Sequence, residues 1–285
     1  MPTLVYEVTE ASIRILAQQL PASPRVFAKV QAALQREATG VTEIVDLVKV
    51  DAGLCAALLR VANSPFYQRG ERIESINAAI NRVGLRKVHR MLGLALAQQV
   101  LRGGLACYGL SADLVWENSV VVALAATALA REAGGDDRAA YTLGLLRSVG
   151  MTVLQVVAMG DELPTLHERC GSGRETLAWE RATFGMTSAM ATGVLLRGWG
   201  FSDEWSAAAV HHVDPRQAPQ PTALTALLHV ANALAELLGK GLPCEAGNWS
   251  LDDAILRQAR VKPDQALALI PDIHAEYMQL RAGLA

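Results

Sequence analysis

Two adjacent histidines, His211 and His212, are by residue type the strongest candidates for binding a metal ion or transferring a proton. Neighbouring residues on a helix point about 100° apart, so these rings cannot face one metal as readily as an i, i+4 pair. The other histidines show no metal-ligand spacing with one another: His89, His167, His229 and His274. The pattern therefore favours one core histidine and one surface histidine over a metal site.

Covalent catalysis would need a nucleophile and a base, and Ser148 with His211 is the pairing that the sequence offers. Such a pair also needs a group that orients the base and an oxyanion site, and no motif supplies either. The glycine pairs at 103–104 and 134–135 lack the strand or lysine of a phosphate-binding loop. We therefore expect no catalytic residues and no cofactor.

The cysteines indicate the redox environment of the chain. None of the four belongs to a CxxC pair, which argues against a thiolate zinc site and against a redox motif. A chain of 285 residues can bury a sizeable core without disulfides. We expect reduced, buried thiols in a cytoplasmic protein at Cys55, Cys107, Cys170 and Cys244.

A basic stretch offers a different kind of chemistry. Arg82, Arg86 and Arg90 are spaced at four, which predicts one stripe along one helix face, and Lys87 lies beside it. Such a stripe is often only solvated surface. The functional interpretation is a docking surface for an acidic partner helix, an anionic nucleotide or nucleic acid.

Helices must position these residues, because composition and periodicity both favour an all-α fold. Apolar residues make up 51% of the chain but aromatic residues only 5%, which suits close-packed Leu, Ala and Val helices better than a sheet. No run alternates apolar and polar residues as a half-buried strand does, whereas helical spacing recurs, as in Val26, Phe27, Val30 and Leu34.

Charge and hydropathy limit the partners. A net charge of −2 and a pI of about 6.3 do not favour nucleic acid or an anionic membrane. The most apolar run, residues 119–130, is shorter than the roughly 20 residues of a membrane span and is followed by Arg131 and Glu132. The N-terminus resembles no signal peptide. We expect a cytoplasmic protein without a membrane segment.

One helix boundary is well marked in the first third of the chain. Asp51 can cap a helix whose inner face carries Leu54 and Leu58. That helix must end near Asn63, because Pro65 cannot continue it and disfavours the helical region for Ser64. A side-chain amide at this end can satisfy the last carbonyls or the next turn.

The same stretch carries a family resemblance. It contains Leu20-Pro21-Ala22-Ser23-Pro24, then a leucine-rich helix that ends in Ala62-Asn63-Ser64-Pro65, then Ser75-Ile76 with Ala79-Ile80 and Gly84. This pattern resembles the HDOD family, a branch of the HD phosphohydrolase superfamily. The resemblance continues to about Asn232 through Trp116, Ser119, Gly144-Leu145-Leu146, Glu180, Phe184-Gly185, Leu195-Leu196, Trp199 and His211-His212.

The departures from the superfamily pattern concern its metal ligands. HD phosphohydrolases hold one or two metal ions with a histidine, a His-Asp pair and a later aspartate. In this chain Arg147-Ser148 stands where the pair is expected, and the other ligand positions carry Asn118, Ser188 and Asn232. Of the ligand set only His211 and His212 remain. A guanidinium has no lone pair and stays charged, so it would repel a divalent cation.

The resemblance implies an organisation of the chain. We expect an N-terminal segment over 1–19, an HDOD domain over 20–217 and a C-terminal helical extension over 218–285. The domain itself would consist of an N-terminal helical lobe, 20–110, packed on an HD-like helical lobe, 111–217. Glycines at 103–104 and a proline-rich loop over 214–221 coincide with these boundaries.

The resemblance also implies a function. HDOD proteins are regarded as non-catalytic modules of bacterial signal transduction, so we expect partner proteins of the kinase, cyclase or response-regulator type, or a small anionic ligand. We expect a relic cleft formed by Asn118, Arg147, Ser148, Ser188, His211 and His212. In it Arg147 should pair with an internal acid, for which Glu180 is the candidate, or bind an anion. The alternatives are a metal-dependent phosphohydrolase or phosphodiesterase, and nucleic-acid binding through the arginine stripe.

Overall fold

The computed structural model describes residues 7–19, 23–36, 40–67, 70–101, 103–158 and 173–284. Five residues discussed above lie outside these ranges: Leu20, Pro21, Ala22, His167 and Cys170. Within the described ranges every regular element is helical, apart from one isolated bridge between Leu105 and Leu110. The prediction of an all-α fold is confirmed.

Among the described residues, six helices precede residue 110 and six more belong to the second lobe. The first set is α1 Glu10–Gln19, α2 Ser23–Leu34, α3 Val41–Lys49, α4 Ala52–Ala62, α5 Ile76–Val83 and α6 Leu85–Val100. The second set is α7 Ala112–Glu132, α8 Asp137–Leu146, α9 Val149–Ala158, α10 Arg174–Phe184, α11 Ser188–Trp199 and α12 Asp203–His211. The C-terminal extension contains α13 Ala223–Leu237, α14 Asp253–Ala259, α15 Pro263–Ala268 and α16 Ile270–Leu284.

Helix α6 is the centre of the first lobe, and α2, α4 and α5 pack against it. Asp51 caps α4 as predicted, since its carboxylate accepts a hydrogen bond of 2.8 Å from the Leu54 amide. The helix also ends at Asn63 as predicted. The Asn63 side chain donates to the carbonyls of Leu59 (2.8 Å) and Ile73 (2.7 Å) and accepts from the Ile73 amide (2.8 Å). It therefore joins the end of α4 to the segment that leads into α5.

Helix α7 has the same central role in the second lobe, between α8 on one side and α13 on the other. Gly144 permits the close approach of α8, because a Cβ there would lie 2.5 Å from the Ala123 Cα. The stretches 112–132 and 137–158 are apolar and long enough to cross a membrane, but 67% and 78% of an apolar 18-residue window in each is buried inside the fold. Burial of this extent is typical of core helices.

Both ends of the chain pack back onto the domain. Helix α1 lies against α11, and the Val8 amide donates to the Phe184 carbonyl (3.1 Å). Helix α16 crosses α7 and reaches the first lobe, where a Cβ on Gly283 would lie 2.2 Å from the Phe66 Cβ. The extension thus contacts both lobes.

Candidate functional site

Arg147 follows the last residue of α8 and is one of the largest fully buried side chains, with 2% of its surface exposed. Its Nη1 donates to Glu245 Oε1 at 2.7 Å, and its Nη2 donates to Asn118 Oδ1. Asn118, on α7, in turn donates to the Lys240 carbonyl at 2.7 Å. The guanidinium therefore occupies the interior of the site, and its charge is neutralised inside the protein.

The acid that pairs with Arg147 comes from the C-terminal extension. Glu245 lies in a short 3-10 turn, Pro243–Glu245, and is 8% exposed. A few residues later Trp249 places its ring 5.6 Å from the Arg147 guanidinium, in a cation–π contact, and also stacks on His212. The segment after α13 thus closes the site with one carboxylate and one indole.

Glu180, which we expected to pair with Arg147, has other partners, so that prediction is wrong. Its carboxylate accepts hydrogen bonds from the Tyr108 hydroxyl (2.8 Å) and the Ser188 amide (2.9 Å). Complete burial and, to a smaller extent, the charge of Glu245 raise the pKa of Glu180 to about 7, against the opposing effect of these hydrogen bonds. Glu245 is further from Arg147 in the sequence than Glu180 is, but the fold brings the Glu245 carboxylate next to the guanidinium.

A small cavity of about 10 Å³ lies beside this pair, and we call it the relic cavity. Four residues that the resemblance assigned to the relic cleft line it: Arg147, Ser148, Ser188 and His212. Asn118 reaches the site through its bond to Arg147. His211 is not among the lining residues and is only half-buried, which corrects its assignment to the cleft. One histidine of the adjacent pair is therefore in the core, and the other is not.

The buried histidines are held as neutral rings. His212 Nδ1 lies 2.7 Å from the Ala209 carbonyl, and burial together with the charge of Arg147 lowers the His212 pKa to about 3. His229 Nδ1 lies 2.9 Å from the His212 carbonyl, and its Nε2 accepts from the Ser250 amide (3.1 Å). Burial lowers the His229 pKa too, against the opposing effect of the hydrogen bond to His212. These rings serve packing and hydrogen bonding.

The donor set does not fit a divalent metal ion. In the described part of the chain no three His, Cys, Asp or Glu side chains come together in a way that could hold one. Asn232, which the resemblance assigns to the position of the later aspartate, donates to the Leu228 carbonyl of its own helix (2.7 Å). The buried guanidinium would face any cation placed in the relic cavity. No step of a metal-dependent reaction can be derived from these residues.

The basic residues of the first lobe do not form the single stripe that we predicted. Gly84, with a φ of +83°, separates α5 from α6, so Arg82 lies on a different helix from Arg86 and Arg90. Arg86 lies 4.0 Å from Asp137, at the start of α8. The spacing of four residues continues in the sequence across the break between α5 and α6, but the break places these arginines on two helices.

Arg82, Lys87 and Arg90 instead share an open groove of about 670 Å³, which we call the basic groove. Its other wall is α16, whose Glu276 pairs with Arg90 at 2.6 Å. Arg82 donates to the Glu71 carbonyl. The remaining lining residues are Pro65, Phe66, Tyr67, Val83, Gln279, Ala282 and Gly283.

Two residues that close the site were not predicted from the sequence: Glu245 and Trp249. Both follow the last residue of the family resemblance, and neither belongs to a motif that could have marked it. The sequence did indicate that Arg147 needs an acidic partner, because a buried arginine must be paired and few acids occur on apolar segments. The sequence could not show which acid that partner is.

Comparison with known proteins agrees with this architecture. A family model described as "HDOD domain" matches residues 20–215. A curated relative, an uncharacterized protein of Treponema pallidum (strain Nichols), is 28% identical over 149 residues. That match spans 50% of this chain but only 28% of the length of the relative.

Solved structures share the fold. An HDOD domain protein of unknown function from Geobacter sulfurreducens has a TM-score of 0.68 at 21% identity, covering 96% of this chain and 97% of its own. A putative signal transduction protein from Marinobacter aquaeolei VT8 has a TM-score of 0.70 at 20% identity, with 93% and 58% covered. A putative phosphohydrolase from Shewanella amazonensis SB2B has a TM-score of 0.63 at 21% identity, with 96% and 98% covered. At these identities the likeness extends to the fold alone.

Proposed function

The chain belongs to the HDOD domain family, and on this premise we propose that it is a non-catalytic regulatory module of bacterial signal transduction. The observation that carries the proposal is the buried Arg147–Glu245 pair, because the family resemblance assigns Arg147 to a position where a phosphohydrolase of this superfamily has a metal ligand. Such catalysis depends on a metal that generates hydroxide and holds phosphate. A site filled by a paired arginine supports binding, and not hydrolysis, as the activity of this protein.

The module would act in the cytoplasm by binding another molecule. We propose signalling proteins of the kinase, cyclase or response-regulator type, or a small anionic ligand, as the partners. The basic groove supports this choice, because it is open and cationic and lies where the first lobe meets the C-terminal helix. An occupant there would contact both parts of the chain, which is the arrangement that a regulatory module needs.

The absence of catalysis is tested by metal analysis and by a repair variant. We expect no stoichiometric iron, manganese or zinc by mass spectrometry after gentle purification. We also expect Arg147→His with Ser148→Asp to hydrolyse no cyclic dinucleotide in the presence of manganese, because Asn118 and Ser188 are still not ligands. One or two metal equivalents in the native chain would contradict the expected absence of metal, and hydrolysis by the double variant would favour the enzyme alternative over the regulatory one.

Partner binding is tested by charge reversal in the groove. A pull-down from the native cell extract should retain the same partner with the wild-type chain and with Arg257→Glu, an exposed control on α14. The variant Arg82→Glu with Lys87→Glu should lose that partner. Equal retention by all three chains would place the binding surface elsewhere, and salt-sensitive retention of DNA by the wild type alone would favour the nucleic-acid alternative.

A further inference from the structure

Four buried polar atoms around the relic cavity have no hydrogen-bond partner in the described part of the chain. They belong to lining residues that are between 2% and 8% exposed: Arg147 Nε, Ser148 Oγ, His212 Nε2 and Glu245 Oε2. Buried polar groups in folded proteins are almost always satisfied, by protein or by ordered water. Four such atoms around one cavity point to a bound molecule.

The bonding role of each atom can be assigned. An arginine Nε can only donate, and a carboxylate oxygen such as Glu245 Oε2 accepts. The carbonyl beside His212 Nδ1 can only accept, so Nδ1 carries the hydrogen and Nε2 of the neutral ring accepts. The Ser148 hydroxyl can donate or accept. The lining therefore offers two acceptors, one donor and one hydroxyl that can serve as the second donor.

We infer that the relic cavity is a binding site for one water molecule, held by these four side chains. Water donates two hydrogen bonds and accepts two, which matches the set. A cavity of about 10 Å³ is close to the smallest that holds one water, roughly 10–15 Å³ by this type of measure. The low pKa of His212, about 3, agrees with this arrangement because it keeps the Nε2 lone pair free.

Other occupants fit less well. A divalent cation would face the Arg147 guanidinium, and an anion would face the Glu245 carboxylate and the His212 lone pair. A larger neutral molecule exceeds the volume. The inferred water site is part of the same site on which the proposed non-catalytic function is argued. It rests on that proposal in one respect, the assumption that no metal is bound there.

The test combines a high-resolution crystal structure of the wild-type chain with ¹⁷O relaxation dispersion, which counts long-lived internal waters. We expect one isolated density peak without anomalous signal, within hydrogen-bond distance of the four atoms. Ser148→Val should place a methyl group in the cavity and lower the count of long-lived waters by one. Ser206→Ala is the control, because that hydroxyl is also buried and has no hydrogen-bond partner among the described residues, but it does not line the cavity.

The outcomes separate the inference from the proposed function. A metal ion in the density would overturn both. A dry cavity, or a water count that Ser148→Val leaves unchanged, would overturn the water site and leave the non-catalytic function standing. If Ser148→Val does not fold, the density of the wild-type chain decides the question alone.

Discussion

The relic cavity and the basic groove both contain an arginine–glutamate pair, but only the groove adds exposed cationic side chains to its pair. In the relic cavity Arg147 and Glu245 are buried and paired at 2.7 Å, around about 10 Å³ of free space. In the basic groove the Arg90–Glu276 pair lies at the edge of about 670 Å³ that is open to solvent, with Arg82 and Lys87 exposed beside it.

This difference separates charges that hold the fold together from charges that can meet a partner. A buried pair loses hydration on both sides, so either charge left alone would be strongly unfavourable. An exposed charge keeps its hydration and contributes little to stability, but it can attract an anion at long range. The site that the family resemblance marks as chemical is therefore the structural one.

The largest expected effect is in the relic cavity. Arg147→Met leaves Glu245 buried without its partner and should lower the free energy of unfolding by about 3–5 kcal/mol. Arg147→Met with Glu245→Leu should recover most of that loss, because the unpaired charge is gone. Urea denaturation of the three chains measures both steps. A loss below about 1 kcal/mol for the single variant would mean that water reaches the pair, and the contrast between the two regions would disappear.

The second expected effect concerns pH and Glu180. Its pKa is about 7 in the folded protein against 4.5 ordinarily, so between these values the unfolded chain releases a proton that the folded chain keeps. Because of Glu180, the free energy of unfolding should therefore fall by about 3 kcal/mol in total as pH rises from about 4.5 to 7. Glu180→Gln should remove this contribution.

His212 makes a single pH curve of the wild type ambiguous. Its pKa is lowered to about 3 from 6.5, so its contribution to stability is lost as pH falls through that window, opposite in sign to Glu180. The difference between Glu180→Gln and wild type at each pH isolates Glu180. A difference that does not change with pH would show that the carboxyl is ionised in the fold.

A smaller effect is expected beside the groove. Asn63→Ala removes two hydrogen bonds to Ile73 and one to the Leu59 carbonyl of α4, at a half-buried position, and should cost about 2 kcal/mol. Asn77→Ala, on the exposed face of α5, is the control and should change stability by less than about 0.5 kcal/mol. Equal melting temperatures for the two variants would mean that water replaces the Asn63 bonds at no cost.

The smallest effect on stability is expected inside the groove. Arg82→Glu with Lys87→Glu should leave the free energy of unfolding within about 0.5 kcal/mol of wild type, since both side chains are exposed. Thermal unfolding at low and high salt measures it. A loss of several kcal/mol would make these residues structural, and the groove would then resemble the relic cavity.

The sequence by itself determined the helical fold and several local boundaries. The absence of strand patterns and the helical spacing predicted an all-α chain, and Asp51 and Pro65 marked the limits of α4. These features depend on neighbouring residues, which the sequence displays directly. The expectation that Arg147-Ser148 stands where the family resemblance predicts a His-Asp pair also came from the sequence alone, because it depends only on the order of motifs.

Only the tertiary structure decided which residues meet. Nothing in sequence separates Glu245 from Glu180 as the partner of Arg147, since the choice depends on how the extension folds back over α7 and α8. The regular spacing of Arg82, Arg86 and Arg90 gave no sign that Gly84 would divide the stripe between two helices. Pairing across 98 residues and the direction of a helix after a break are set by packing, and packing depends on the whole chain at once.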